Sequence, residues 1–164
     1  MLVYKSLPRN SFGSAAVNGS QQFARADEAL RRLIEILPEA DFPLSWLGLV
    51  RLYEGKAKEA LVTFQSLNEE RLRLFGVALV EHTLGHAKES QQALNQLIAG
   101  GAPAYAVAEI YAWRGEKDKA FEWLDRAYQQ HDSNMSDFRN DATLTSLHGD
   151  PRFAALLRKM NLPE

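Results

Sequence analysis

Four histidines and a scatter of carboxylates are the side chains best able to do chemistry in this chain of 164 residues. His82 and His86 stand four apart, a spacing at which two imidazoles on one helix can share a metal ion. Gly85 falls between them at an expected turn, and no carboxylate completes an HExxH pattern. His131 and His148 have no such neighbour. The chain has no cysteine, which removes disulfides, thiolate metal sites and cysteine nucleophiles. GxGxxG, GxxxxGK[ST] and GxSxG are all missing. The acidic pairs Glu69-Glu70 and Glu122/Asp125 read as solvated helix faces rather than acid–base couples. No catalytic residue, metal ligand or cofactor is therefore assigned, and the expectation is a protein that is not an enzyme.

Charge narrows the partners. Nineteen Lys and Arg stand against 21 Asp and Glu, a formal net charge of −2. Nucleic-acid binders draw affinity from surplus positive charge meeting phosphates, so no nucleic acid is expected. The basic runs RLR at 71–73 and KDK at 117–119 sit beside Glu69-Glu70 and Glu116, which cancel much of their field. The longest apolar runs are short, such as WLGLV at 46–50, far from the roughly 20 residues that span a bilayer. The start lacks the apolar core of a secretory signal. The expected setting is the cytoplasm without a membrane, or the periplasm if the chain is a piece of an anchored regulator.

Helices must position whatever function exists. Residues 1–20 are rich in Ser, Asn and Gly and read as a linker or extended lead-in. From Gln21, the series Phe23, Ala26, Ala29, Leu30, Leu33, Ile34 and Leu37 recurs at three- and four-residue steps, the mark of an amphipathic helix closed by Pro38. Further helices are expected over Leu44–Tyr53, Lys58–Leu67, Arg71–Leu84, Glu89–Ile98, Ala104–Arg114 and Lys117–Gln130. No segment alternates as a half-buried strand does, so the chain reads as all-α.

The turns repeat. Gly55, Gly85 and Gly115 are spaced 85−55=30 and 115−85=30. Five residues after each comes Ala60, Ser90 or Ala120. Phe64, Leu94 and Leu124 follow four later, then Leu67, Leu97 and Ala127. Ala26, Leu30 and Leu33 keep the same pattern one step upstream, at 60−26=34. A period of this size means stacked helix hairpins. The glycine supplies a left-handed turn, the small residue permits close helix approach, and the large one fills the gap above it.

This pattern resembles the tetratricopeptide repeat (TPR), a helix–turn–helix with W…LG…Y on its first helix and A…F…A…P on its second. Trp46-Leu47-Gly48 stands near the first part; Tyr111, Ala120, Leu124 and Ala127 match the rest. The resemblance covers residues 21–131. It departs in its 30-residue steps, in Ser90, and in the later repeats' missing proline. It implies an α-α superhelix of antiparallel hairpins whose first helices line a concave groove, narrowed here by the shortened repeats. In that groove the 30-residue period aligns Ser45, Phe75 and Tyr105; Leu49, Leu79 and Glu109; and Tyr53, Thr83 and Trp113. With Trp46 and His82 nearby, the implied groove is apolar and aromatic. The Lys, Asn and Arg set of the family's carboxylate-clamp members is missing from these positions.

Residues 132–164 form a tail. LTSLHGDPRFAALLRKMNL at 144–162 is similar to the "L…DPRF…LL…L" ending of TPR tails on bacterial signalling proteins. Its residues specify a helix on their own: Asp150 suits the N-cap, Pro151 the first helical position, and Phe153, Leu156, Leu157 and Met160 one apolar face. The helix is expected to cap the last hairpin. The resemblance implies a non-catalytic scaffold of a bacterial regulatory system. It would bind a protein or peptide partner through Trp46, Leu49, Tyr53, Phe75, Leu79, His82, Tyr105, Glu109 and Trp113. Self-assembly into a homo-oligomer is the alternative, with a small enzyme ranked after it. The chain's own termini are a further possible occupant of the groove.

Overall fold

The computed structural model describes residues 19–162. The lead-in expected over residues 1–20 lies outside the described residues up to residue 18, and Gly19 and Ser20 already belong to the first helix. Eight α-helices follow in order: α1 Gly19–Ile36, α2 Asp41–Tyr53, α3 Ala57–Gln65, α4 Glu70–Thr83, α5 Ala87–Ala99, α6 Ala104–Trp113, α7 Lys117–Gln129 and α8 Pro151–Lys159. Two 3₁₀ segments, Ser133–Asn140 and Ala142–Leu147, lie between α7 and α8. The described residues contain no strand, so the chain is all-α. α2 starts three residues before the expected Leu44 because Pro43 falls in its first turn, where no intrahelical N–H is needed.

One turn chemistry joins the hairpins α2–α3, α4–α5 and α6–α7. Gly55, Gly85 and Gly115 take φ of 78°, 85° and 74°. In each case the next residue's N–H reaches back to the carbonyl five earlier: Lys56 to Arg51 at 2.8 Å, His86 to Glu81 at 2.8 Å, Glu116 to Tyr111 at 2.9 Å. This paired closure satisfies the last helical carbonyls and needs a left-handed residue. α7 and α8 end the same way with His131 (φ 53°) and Asn161 (φ 55°) in the glycine position. His131 is thus a helix stop that carries a side chain where glycine is easier.

The repeated registers are the core. Ala60, Ser90, Ala120, Phe64, Leu94, Leu124, Leu67, Leu97 and Ala127 are all at most 2% exposed. Ser90 is tolerated among alanines because its Oγ donates to the Ala78 carbonyl at 2.7 Å, so no buried hydroxyl is left unpaired. Phe64 is larger than Leu94 and Leu124, and two glycines make room for it. A Cβ on Gly48 of α2 would fall 2.8 Å from its ring, and one on Gly76 of α4 only 1.9 Å. The ring therefore lies against the bare backbone of two first helices at once. A single apolar cluster runs from Leu52 to Leu157, and a smaller one at the start joins Leu30 of α1 to Leu47 and Val50 of α2.

α8 forms as its residues dictate. Asp150 accepts from the Arg152 N–H at 3.0 Å, and Phe153, Leu156 and Leu157 are buried. The helix covers α7: Arg152 lies 4.2 Å over the Phe121 ring and Lys159 4.3 Å over Tyr128. Arg152 also bridges to Asp118 at 2.8 Å.

Candidate functional site

The first helices α2, α4 and α6 carry the equivalent positions 53, 83 and 113, and these meet. Trp113 Nε1 donates to Thr83 Oγ1 at 3.0 Å, and the Trp113 and Tyr53 rings touch edge to face at 5.8 Å. Tyr53 and Trp113 belong to hairpins two apart, so the faces of α2 and α6 close over α4 at this level.

The tail fills the rest of α6. The 3₁₀ segment Ala142–Leu147 packs along it, with Leu144 and Leu147 wholly buried. Tyr105 donates its hydroxyl to Asp141 Oδ2 at 3.0 Å, and Ser146 Oγ donates to the Ala112 carbonyl at 2.7 Å. Thr143 Oγ1 donates to Asp141 Oδ1 at 2.6 Å and lies 3.3 Å from Glu109 Oε1. Asp132 holds the start of α6 by accepting from the Tyr105 N–H at 3.1 Å. Between α2 and this tail remains a cavity of about 20 Å³, lined by Trp46, Leu49, Tyr53, Glu109 and Asp141 to Thr143.

Three residues expected to meet a partner are buried. Leu79 and Tyr105 are wholly buried and Glu109 is 5% exposed. Leu79 sits on the middle first helix, with α2 and α6 on either side. Tyr105 and Glu109 lie under the chain's own tail. Six stay half-buried: Trp46, Leu49 and Tyr53 on α2, Phe75 and His82 on α4, and Trp113 on α6. Trp46, Leu49 and Tyr53 follow one another at i, i+3 and i+7, one stripe of a helix. His82 is pushed below its ordinary pKa, first by burial and then by the nearby Arg114 guanidinium.

His86 lies beyond the end of α4 and pairs its Nδ1 with Glu81 Oε2 at 2.7 Å, so the two spaced histidines share no helix face. Among the described residues, no group of three or more His, Asp or Glu side chains is gathered to hold a metal. No helix of the described residues is long and apolar enough to cross a membrane. Glu69 caps α4 by accepting from the Arg71 and Leu72 N–H groups, a role that the solvated-face reading omits.

Sequence spacing does contain a signal for the tail. Asp132, Asp141 and Asp150 stand 141−132=9 and 150−141=9 apart. Each accepts from the N–H two residues on, at 3.0, 2.9 and 3.0 Å, and so opens a helical segment. Three caps in series mark three short segments, the middle one being the segment docked on α6.

No family model, no curated protein and no solved structure matches this chain.

Proposed function

We propose that the chain is a non-catalytic interaction scaffold of the tetratricopeptide type, receiving an apolar helix or peptide of a partner protein on its concave side. The observation that carries this reading is the chain's own tail. Residues 141–147 lie on α6 as a peptide would, with Leu144 and Leu147 buried and the Asp141 and Ser146 side chains hydrogen-bonded to Tyr105 and to the Ala112 carbonyl of α6. A face that accepts one apolar segment is suited to another beside it, and the half-exposed stripe Trp46, Leu49 and Tyr53 adjoins the docked tail. The rigid hairpins lose little freedom on binding, which favours affinity. The likeness of residues 144–162 to tails of bacterial signalling proteins makes a regulatory chain the natural setting.

A peptide-display selection against the immobilised full chain tests this. Amphipathic helical peptides should be retained by the wild type and lost with Leu49→Glu, while far-ultraviolet circular dichroism stays unchanged. Selected peptides that bind the Leu49→Glu variant equally well would sink the reading.

A further inference from the structure

α1 has the register of a second helix. Ala26, Leu30 and Leu33 correspond to Ala60 and Phe64 of α3 with Leu67 just after it, and to their equivalents on α5 and α7. Every one of those positions is buried, partly by the first helix of the same hairpin. On α1 only Leu30 is buried, against Leu47 and Val50 of α2. Ala26 and Leu33 are half-buried and Ala29 is exposed. Ile36 is 73% and Leu37 49% exposed, two of the three large apolar side chains left exposed among the described residues. The opposite end of the molecule is closed by α8. The stripe Ala26, Ala29, Leu33 and Ile36 thus borders a first-helix position that no described residue fills.

The charges beside that stripe specify what fits. At 100° per residue, Arg25 and Arg32 border Ala29 and Ile36, and Glu28 and Glu35 form the next row. All four are exposed. They read +, −, +, − along the helix. Reversed about Leu30, each meets its opposite: 25+35=60 and 28+32=60 pair Arg25 with Glu35 and Glu28 with Arg32. A parallel, in-register copy would instead put like on like. Antiparallel is also the direction in which the first helix of a hairpin meets the second. Ala26 and Ala29, being small, allow close approach at the centre.

We propose that two copies of this chain pair through α1, antiparallel about a two-fold axis near Leu30, each supplying a first helix to the other's α1. The pairing is isologous: the same patch serves both subunits. The ion pair now made within α1, Arg32 to Glu28 at 2.6 Å, is solvent-exposed and free to exchange for its counterpart across the axis. The inference stands apart from the concave-face reading, because it concerns another surface.

Sedimentation of the full chain tests it. The wild type should approach twice 18.4 kDa as concentration rises. Arg25→Glu with Arg32→Glu makes the rim wholly acidic, and Glu28→Arg with Glu35→Arg makes it wholly basic. Each double variant alone should dimerise at least tenfold more weakly. An equimolar mixture of the two should regain the dimer mass. All four positions lie on the solvent face, so circular dichroism should not change. A wild type that stays monomeric at ~1 mM, where even a millimolar affinity would show, overturns the proposal. So does a dimer that neither charge reversal weakens, or a mixture that remains monomeric.

Discussion

Gly76→Ala is the sharpest test of how the hairpins are stacked. An ideal Cβ there falls 1.9 Å from Phe64 Cδ1 and 2.0 Å from Cγ. Carbon atoms in contact rest about 3.5–4.0 Å apart, so the ring must retreat by roughly 3.5−1.9=1.6 Å. Phe64 is 0% exposed and its ring tip lies over Gly48, so no open space receives it. Overpacking of a tight core costs about 1–3 kcal/mol and occasionally more. Against it stands the gain of about 1 kcal/mol for Gly→Ala inside a helix. Because the overlap is with the ring base and not a flexible tip, the net expectation is a loss of about 2 kcal/mol. Urea unfolding followed by circular dichroism measures it. Phe64→Leu installs the residue found at the equivalent Leu94 and Leu124 and should rescue the variant. A double-mutant cycle should then return a favourable coupling of about 1 kcal/mol or more. A Gly76→Ala protein as stable as the wild type, or strictly additive losses, would refute the wedge of Phe64 between α2 and α4.

Two further predictions concern the C-terminal half. His131 pays for a left-handed backbone that glycine adopts freely, so His131→Gly should raise stability by about 1 kcal/mol in the same urea assay; a loss would mean the imidazole makes a contact that outweighs the strain. The Arg152 side chain, and then its backbone N–H, hold the Asp150 carboxyl at about 2, below its ordinary 3.8. A carboxylate depressed on folding stabilises the fold fully above pH 3.8, and that contribution is lost as pH falls through about 2. An NMR titration should place the Asp150 midpoint near 2 and show it rising in Arg152→Gln. An unmoved midpoint would leave the cap geometry of α8 unsupported.

The parts of the fold that local chemistry dictates were legible in the sequence. Gly55, Gly85 and Gly115 announce the three turns because few other residues accept that backbone, and the buried registers behind them keep their spacing. Asp150 and Pro151 announce α8 for the same reason. The fate of the candidate groove was not legible. Spacing aligns positions such as 49, 79 and 109 along an array, but it does not contain the packing of neighbouring helices on α4 that buries Leu79. Nor does periodicity reveal Ala142–Leu147: a 3₁₀ segment has no 3.6-residue stripe, and Leu144 and Leu147 are fixed by what they touch on α6 rather than by their neighbours in the chain. Tyr105 and Glu109 read as exposed only while that tail is left out.

The contact of Tyr53 with Trp113 alters how the array should come apart. In an ordinary hairpin stack each unit touches only its neighbours, and the ends can unravel one unit at a time. Here the hairpin α2–α3 is fastened directly to the hairpin α6–α7, and both border the tail at Asp141 to Thr143. Loosening α2 therefore exposes surface on α6 as well. The amides of α2 through α6 should exchange with solvent at a common, global rate instead of in a graded series from the end, and the array should behave as one closed loop of cooperativity.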